Sequence, residues 1–353
     1  MASDPRVDLT FSLFKPRYIM TGVDPFDLER MVERIDRWED WCAIWSEEAL
    51  KHEKQGDESL AVGRKISAAE AYLRAAIYYH YGKHYYLVDA DEYRRAHDNM
   101  LRCYKAAAIG IDPPMQHLEI PFEGTHLSAY LRVPKHVTRP PVAIILPGLD
   151  ACKEELHAWS EAFVMRGMAT ITLDGPGQGE TAFRLPIRPD WGHVIGAVID
   201  LLETRSDVDA KRVGVVGQSL GGLYAPRAAA LEPRIKVCVA NCGPFDYGAL
   251  YLVRPKNHLR DMFLARTGAT SWEEGHEAAK ALSLNGIAEK ITCPLLVVFG
   301  GGDKLIPPSE GQRLVNEASG PSEFVYFEEG NHVCFNITYK FRPLTADWMA
   351  EHL

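Results

Sequence analysis

The chain has 353 residues, with 39 Lys+Arg against 48 Asp+Glu and a formal net charge of −9. Hydrophobic residues make up 46% and charged residues 25%, the balance of an ordinary globular protein long enough for one large domain or two. Of the charges, 16 basic and 20 acidic residues fall in 1–116 and 23 and 28 in the rest, so there is no basic arm to neutralise phosphates, which argues against nucleic acid as a partner.

The chain opens Met-Ala-Ser-Asp-Pro-Arg, without the charged-then-apolar layout of a secretory signal. No apolar run approaches the ~18 residues that cross a bilayer. From Asp24-Pro25 to about residue 108 the pattern is helical, with an N-cap Asp followed by Pro at the first helical position. Apolar residues then recur at helical spacing, as in Trp38, Trp41, Cys42 and Trp45, with Gly56 and Gly82 as punctuation. Three or four helices are predicted. Ile111-Asp112-Pro113-Pro114 ends the region, giving a helical domain over 1–116, expected to act as a cap.

Residues 117–353 change period. A hairpin is predicted around Glu123-Gly124-Thr125. Short apolar runs follow at Val142–Leu146, Ala169–Leu173, Val213–Val216, Val237–Ala240, Leu295–Phe299 and Phe324–Phe327. Helix-length segments separate most of them, which predicts an α/β fold with a mainly parallel, doubly wound sheet. The stretch from about 244 to 290 exceeds one crossover, carries helical patterns around His258–Arg266 and Trp272–Leu284, and reads as a lid-like excursion.

Gly217-Gln218-Ser219-Leu220-Gly221-Gly222 directly follows a strand and precedes a helical stretch. That is the setting of a nucleophile elbow, a tight turn that exposes a serine hydroxyl at the sheet edge. A serine needs a base, and the base needs an orienting carboxylate. In this fold the order is Ser, acid, His. His332, just after the last predicted strand, is the expected base, while His258 and His276 lie in the excursion and His352 is penultimate. For the acid, Asp303 after Gly300-Gly301-Gly302 is favoured over Asp246. Two backbone donors are needed for an oxyanion. The expected pair is Leu220 and, because Pro147 has no N–H, Leu149 in Pro147-Gly148-Leu149-Asp150.

Asp174-Gly175-Pro176-Gly177-Gln178-Gly179-Glu180 is glycine-rich but lacks dinucleotide spacing, so it reads as a rim of the serine pocket and no cofactor is expected. The aromatic run from Tyr78 to Tyr86 makes Tyr78, Tyr81 and Tyr85 candidates to bind an aromatic substrate, with a plain helix–helix interface as the alternative. The seven cysteines form no Cys-x-x-Cys pair and there is no His-Glu-x-x-His, so neither a disulfide framework nor a metal site is expected. A reduced, cytoplasmic protein is the corresponding expectation.

Leu146-Pro-Gly-Leu-Asp-Ala-Cys-Lys-Glu-Glu, Leu173-Asp-Gly-Pro-Gly-Gln-Gly-Glu, the elbow, Gly301-Gly-Asp303 and Gly330-Asn-His332 together resemble 2,6-dihydroxypseudooxynicotine hydrolase and its relatives. Those relatives include fungal heptaketide hydrolases of pigment synthesis. The resemblance implies an α/β-hydrolase fold behind a helical N-terminal region, with Ser219, Asp303 and His332 as triad. It also implies a homodimer, and cleavage of a carbon–carbon bond next to a ketone in an aryl or polyketide substrate. An ester or lactone substrate for the same triad is the alternative, and a non-catalytic binding protein the remaining one. The nicotine-pathway enzyme is associated with an additional glutamate after the nucleophile strand. Here Phe245-Asp246-Tyr247-Gly248-Ala249-Leu250-Tyr251 has no Glu, which leaves Asp246 as the auxiliary acid or that role absent.

Overall fold

The computed structural model describes residues 3–253 and 257–353. It comprises two compact units, Met1–Met115 and Gln116–Leu353.

The first unit is helical: α1 (Pro5–Thr21), α2 (Pro25–Arg34), α3 (Trp41–Ala61), α4 (Lys65–Gly82) and α5 (Ala90–Ala107). Helices α2 to α5 occupy the region predicted, but α1 is additional. It begins as α2 does, with an Asp cap and Pro behind it, the Asp4 carboxylate accepting from the Arg6 amide at 2.9 Å. Pro16 inside it, between Lys15 and Arg17, interrupts the apolar pattern that would have announced it. Gly56 does not end a helix but lies within α3, where the Tyr72 ring of α4 covers it. Gly82 does close α4. The core is aromatic: Trp41 sits with ring centroids 4.8 Å from Trp38 and 5.8 Å from Trp45, all three buried. Rings of this size dominate burial energetics, and aromatic pairs gain about 0.5–1.5 kcal/mol beyond the area they bury.

The second unit is built on an eight-stranded sheet of order β1-β2-β4-β3-β5-β6-β7-β8. The strands are β1 (Met115–Phe122), β2 (Thr125–Arg132), β3 (Val142–Leu146), β4 (Ala169–Asp174), β5 (Val213–Gln218), β6 (Ile235–Asn241), β7 (Leu295–Gly300) and β8 (Ser322–Phe327). The expected hairpin turns through Glu123 and Gly124, both at positive φ. β2 runs antiparallel to β4, and β3 to β8 are parallel to one another. Every residue of β3, β4, β5 and β7 is buried. Strands covered on both faces read as continuous apolar runs, which is why the sequence located them so closely. The connecting helices are α6 (His157–Val164), α7 (Trp191–Glu203), α8 (Gly221–Leu231), α12 (Pro308–Glu317) and α13 (Thr338–His352).

The excursion holds α9 (Tyr247–Val253), α10 (His258–Thr267) and α11 (Trp272–Lys280). The last two match the predicted patterns, and α9 was not anticipated. Arg260 ties the group together, its guanidinium 3.9 Å from the Tyr251 ring centroid and 4.5 Å from that of Trp272.

Strand order decides where chemistry can sit. After β3 the chain steps to β4 on one side, then returns through α7 to β5 on the other side of β3. Loops leaving β3 and β5 therefore diverge at a topological switch point, where open α/β sheets form their clefts.

Candidate active site

β5 ends at Gln218, and Ser219 turns the chain into α8 at φ +55. A non-glycine residue in that region is held there by its surroundings. Its amide donates to Asn241 O of β6 at 2.9 Å, and its carbonyl accepts from the Gly222 amide at 2.8 Å. A Cβ at Gly221 would lie 2.5 Å from the Leu146 and Pro147 carbonyl oxygens, so the turn closes against β3 only with glycine there. This is the local geometry of the elbow read from the sequence.

The turn after β7 brings Asp303 forward, and the loop after β8 brings His332. The two loops are stitched together: Gly302 N donates to Gly330 O, and Gly301 N to Phe327 O, each at 2.8 Å. His332 Nδ1 is 2.7 Å from Asp303 Oδ2, and His332 Nε2 is 2.9 Å from Ser219 Oγ. An ionised carboxylate only accepts, so the imidazole proton belongs on Nδ1. Nε2 is then the acceptor for the serine hydroxyl. Asp303 Oδ1 takes the amides of Leu305 (2.8 Å) and Ile306 (2.9 Å), and its side chain is fully buried. Burial raises its carboxyl, but His332 and the two amides outweigh that and hold it below its usual range.

Asp246 takes a different place. Its Oδ1 accepts from the Ala249 amide (3.1 Å) at the start of α9, and its Oδ2 from Asn285 Nδ2 (2.7 Å). It is a helix cap, and its own amide and that of Phe245 are held by Glu310. Of the two acids weighed from sequence, Asp303 is the one beside the imidazole.

Gly148 of the β3 loop approaches the serine closely: a Cβ there would be 3.1 Å from Ser219 Cβ and 3.6 Å from its Oγ. Leu149 and Leu220, the expected amide donors, flank that approach and are both buried. The glycine-rich loop after β4 adds a contact not foreseen. Gln178 Nε2 donates to the carbonyls of Pro147 and of Gly148, the latter at 3.3 Å. Lys153 is wholly buried, with Nζ 2.8 Å from Glu154, 3.0 Å from Asp174 and 3.1 Å from Glu180. In the sequence these residues stand inside two of the motifs quoted above, Cys152-Lys153-Glu154 and Asp174 to Glu180, but nothing in those strings shows that they meet.

In the helical unit Tyr78 donates to Asp27 Oδ2 (2.7 Å) and accepts from the Asp24 amide (2.9 Å), while the Tyr81 hydroxyl pairs with Thr21 Oγ1 (2.6 Å). Both side chains are completely buried, and Tyr85, at φ +55, stacks on Phe14. Packing inside the unit, the alternative weighed for this run, accounts for Tyr78 and Tyr81.

Among the described residues two groups bring metal-ligand atoms within 4.8 Å of one another: Cys242, Asp303 and His332, and Asp27, Glu48 and His52. In the first, Asp303 and His332 are already joined to each other and His332 to Ser219. No helix among the described residues is long and apolar enough to cross a membrane.

The chain is 30% identical over 349 residues to 2,6-dihydropseudooxynicotine hydrolase of Paenarthrobacter nicotinovorans, covering 96% of this chain and 91% of that one. The crystal structure of a 2,6-dihydroxy-pseudo-oxynicotine hydrolase superposes with a TM-score of 0.85 at 29% identity, over 96% and 95% of the two chains. The hydrolyase poxO of Penicillium oxalicum is 37% identical over 265 residues, which are 70% of this chain but only 60% of the fungal protein. A family model described as esterase FrsA-like matches residues 15–325. With that match spanning both units and a doubly wound sheet in this strand order, the chain is a hydrolase of the α/β-hydrolase fold and belongs to the FrsA-like esterase family.

Proposed function

We propose that the protein is a serine hydrolase that cleaves a carbon–carbon bond next to a ketone in an aryl or polyketide-type small molecule. The observation that carries the reading is the continuous chain from Ser219 Oγ through His332 to the buried Asp303, with contacts of 2.9 and 2.7 Å. His332 Nε2 takes the hydroxyl proton as Oγ attacks the ketone carbon, and the imidazolium that forms is stabilised by Asp303. The oxyanion faces the amides of Leu149 and Leu220. Collapse breaks the carbon–carbon bond, and the departing carbanion takes the proton from His332. Water, deprotonated by the same imidazole, then attacks the acyl-serine and releases a carboxylic acid.

One observation favours a second reading, an ester or lactone substrate. A carbanion is a poor leaving group and benefits from an additional acid, yet Asp246 is occupied capping α9 and holding Asn285. An alkoxide needs no such help. A homodimer is the assembly that the resemblance to the nicotine-pathway enzymes supports, and sedimentation of the purified chain tests it; seven scattered cysteines with no paired spacing favour a reducing compartment such as the cytoplasm.

A fluorophosphonate probe should label the wild type and not Ser219→Ala, and turnover of aryl diketones and p-nitrophenyl esters should then be compared. Absence of labelling in folded wild type overturns the serine reading. Ester turnover without ketone turnover selects the second substrate class.

A further inference from the structure

The β3 loop that would carry one oxyanion donor is irregular from Pro147 to Cys152, so its shape must be imposed by something other than a ladder or a helix. Two neighbours impose it, Gln178 in the loop after β4 and Asp174 at the end of β4 itself. At the near end Gln178 Nε2 donates to Pro147 O and Gly148 O. The same amide is oriented from behind, its Oε1 accepting from the Gly175 amide at 3.1 Å. At the far end Lys153 N donates to Asp174 Oδ1 (2.7 Å) and Lys153 Nζ meets Asp174 Oδ2 (3.0 Å). Asp174 Oδ2 also takes the Glu180 amide at 2.9 Å. The loop wraps this carboxylate so tightly that a Cβ at Gly179, at φ +42, would fall 2.1 Å from it. Lys153 and Asp174 are wholly buried, and Gln178 is 1% exposed.

Resting on the serine-hydrolase reading, we propose that Gln178 is a positioning residue for the acyl-transfer step. By holding the carbonyls of Pro147 and Gly148 on one side of the loop, it turns the Leu149 N–H toward the place where the oxyanion forms. The Lys153–Asp174 pair anchors the loop's far end. A peptide plane carries its C=O and N–H on opposite edges, so fixing the Gly148 carbonyl fixes the direction of the Leu149 amide in the same plane. Gln178 touches no reacting atom; it acts through the backbone it holds. Losing an oxyanion donor outright costs about 10²–10³ in kcat, and losing its alignment should cost less.

The test is Gln178→Met, which keeps length and removes the donor, assayed with p-nitrophenyl acetate and with an aryl trifluoromethyl ketone as reversible inhibitor. The expected result is a fall in kcat of roughly tenfold to hundredfold, with KM within about twofold. The ketone, whose adduct with Ser219 carries the oxyanion, should bind more weakly by the same factor as kcat/KM falls. Unchanged kcat and ketone affinity, or a loss confined to KM, overturns the proposal. Should Gln178→Met not fold, Gln178→Asn, which keeps the amide but shortens its reach, decides on the same two readouts. Ser219→Ala run alongside separates the two ideas. Persistent turnover there sinks the serine reading, whereas a dead Ser219→Ala beside a fully active Gln178→Met sinks only the positioning role.

Discussion

At the scale of single residues, the two acids Asp303 and Asp246 can be told apart by what each substitution leaves intact. Asp303→Asn keeps an oxygen for the amides of Leu305 and Ile306, so the turn should survive with a stability change of ~1 kcal/mol or less. Its amide group, however, can donate to Nδ1 and favours the tautomer whose Nε2 bears the proton and cannot accept from Ser219. A fall in kcat near 10⁴ is expected, with a nearly unchanged melting temperature; parallel kinetics and calorimetry check it. Asp246→Ala should show the opposite pattern, losing about 0.5–2 kcal/mol as a cap while ester turnover stays near wild type. A collapse of ester turnover in that variant would give Asp246 a chemical role its contacts do not suggest. That Ser219, Asp303 and His332 meet was readable because a strand-turn-helix string and a fixed chain order constrain them. Gln178 and Lys153 were not, since a buried lysine or glutamine is defined by partners that come from elsewhere in the chain.

At the scale of elements, legibility followed burial on both faces. β3 was located to the residue because all five of its side chains are inside, whereas β8, half-exposed along its length, was anticipated only from Phe324 onward. In the helical unit α1 escaped because Pro16 interrupts it, and Gly56 misled because a helix-breaking residue was needed for packing. That last point is testable. Gly56→Ala should gain about 1 kcal/mol of helix propensity, but its Cβ would lie 2.6 Å from the Tyr72 ring. The ring cannot swing aside freely, being tied by its hydroxyl to Asp57 at 2.7 Å. Overpacking of this kind costs about 1–3 kcal/mol, so the net effect should be destabilising by on the order of 1 kcal/mol. Tyr72→Leu in the same background should recover part of it, and a Gly56→Ala protein that melts higher than wild type would contradict the packing account.

At the scale of the whole molecule, the buried ion cluster behind the β3 loop should shape the acid limb of stability. Burial pushes the Glu180 carboxyl up, but Lys153, the Ser128 hydroxyl and His117 outweigh it and bring it down to about 2. An unfolded glutamate titrates near its ordinary value of 4.5. Between the two values the unfolded chain binds the proton and the native chain does not, so stability falls as pH falls through that window and is fully present above it. The whole shift corresponds to about 3 kcal/mol, of which about 1 kcal/mol is lost by pH 4, somewhat less given that 19% of the side chain meets solvent. Glu180→Gln removes the titration. It should be less stable than wild type at pH 7, having lost a partner of Lys153, and the gap should narrow by about 1 kcal/mol at pH 4. Urea unfolding of both proteins at pH 7, 5 and 4 measures this directly. A gap that stays constant with pH would mean that Glu180 keeps its proton equilibrium on folding, and that Lys153 is neutralised by Asp174 and Glu154 alone.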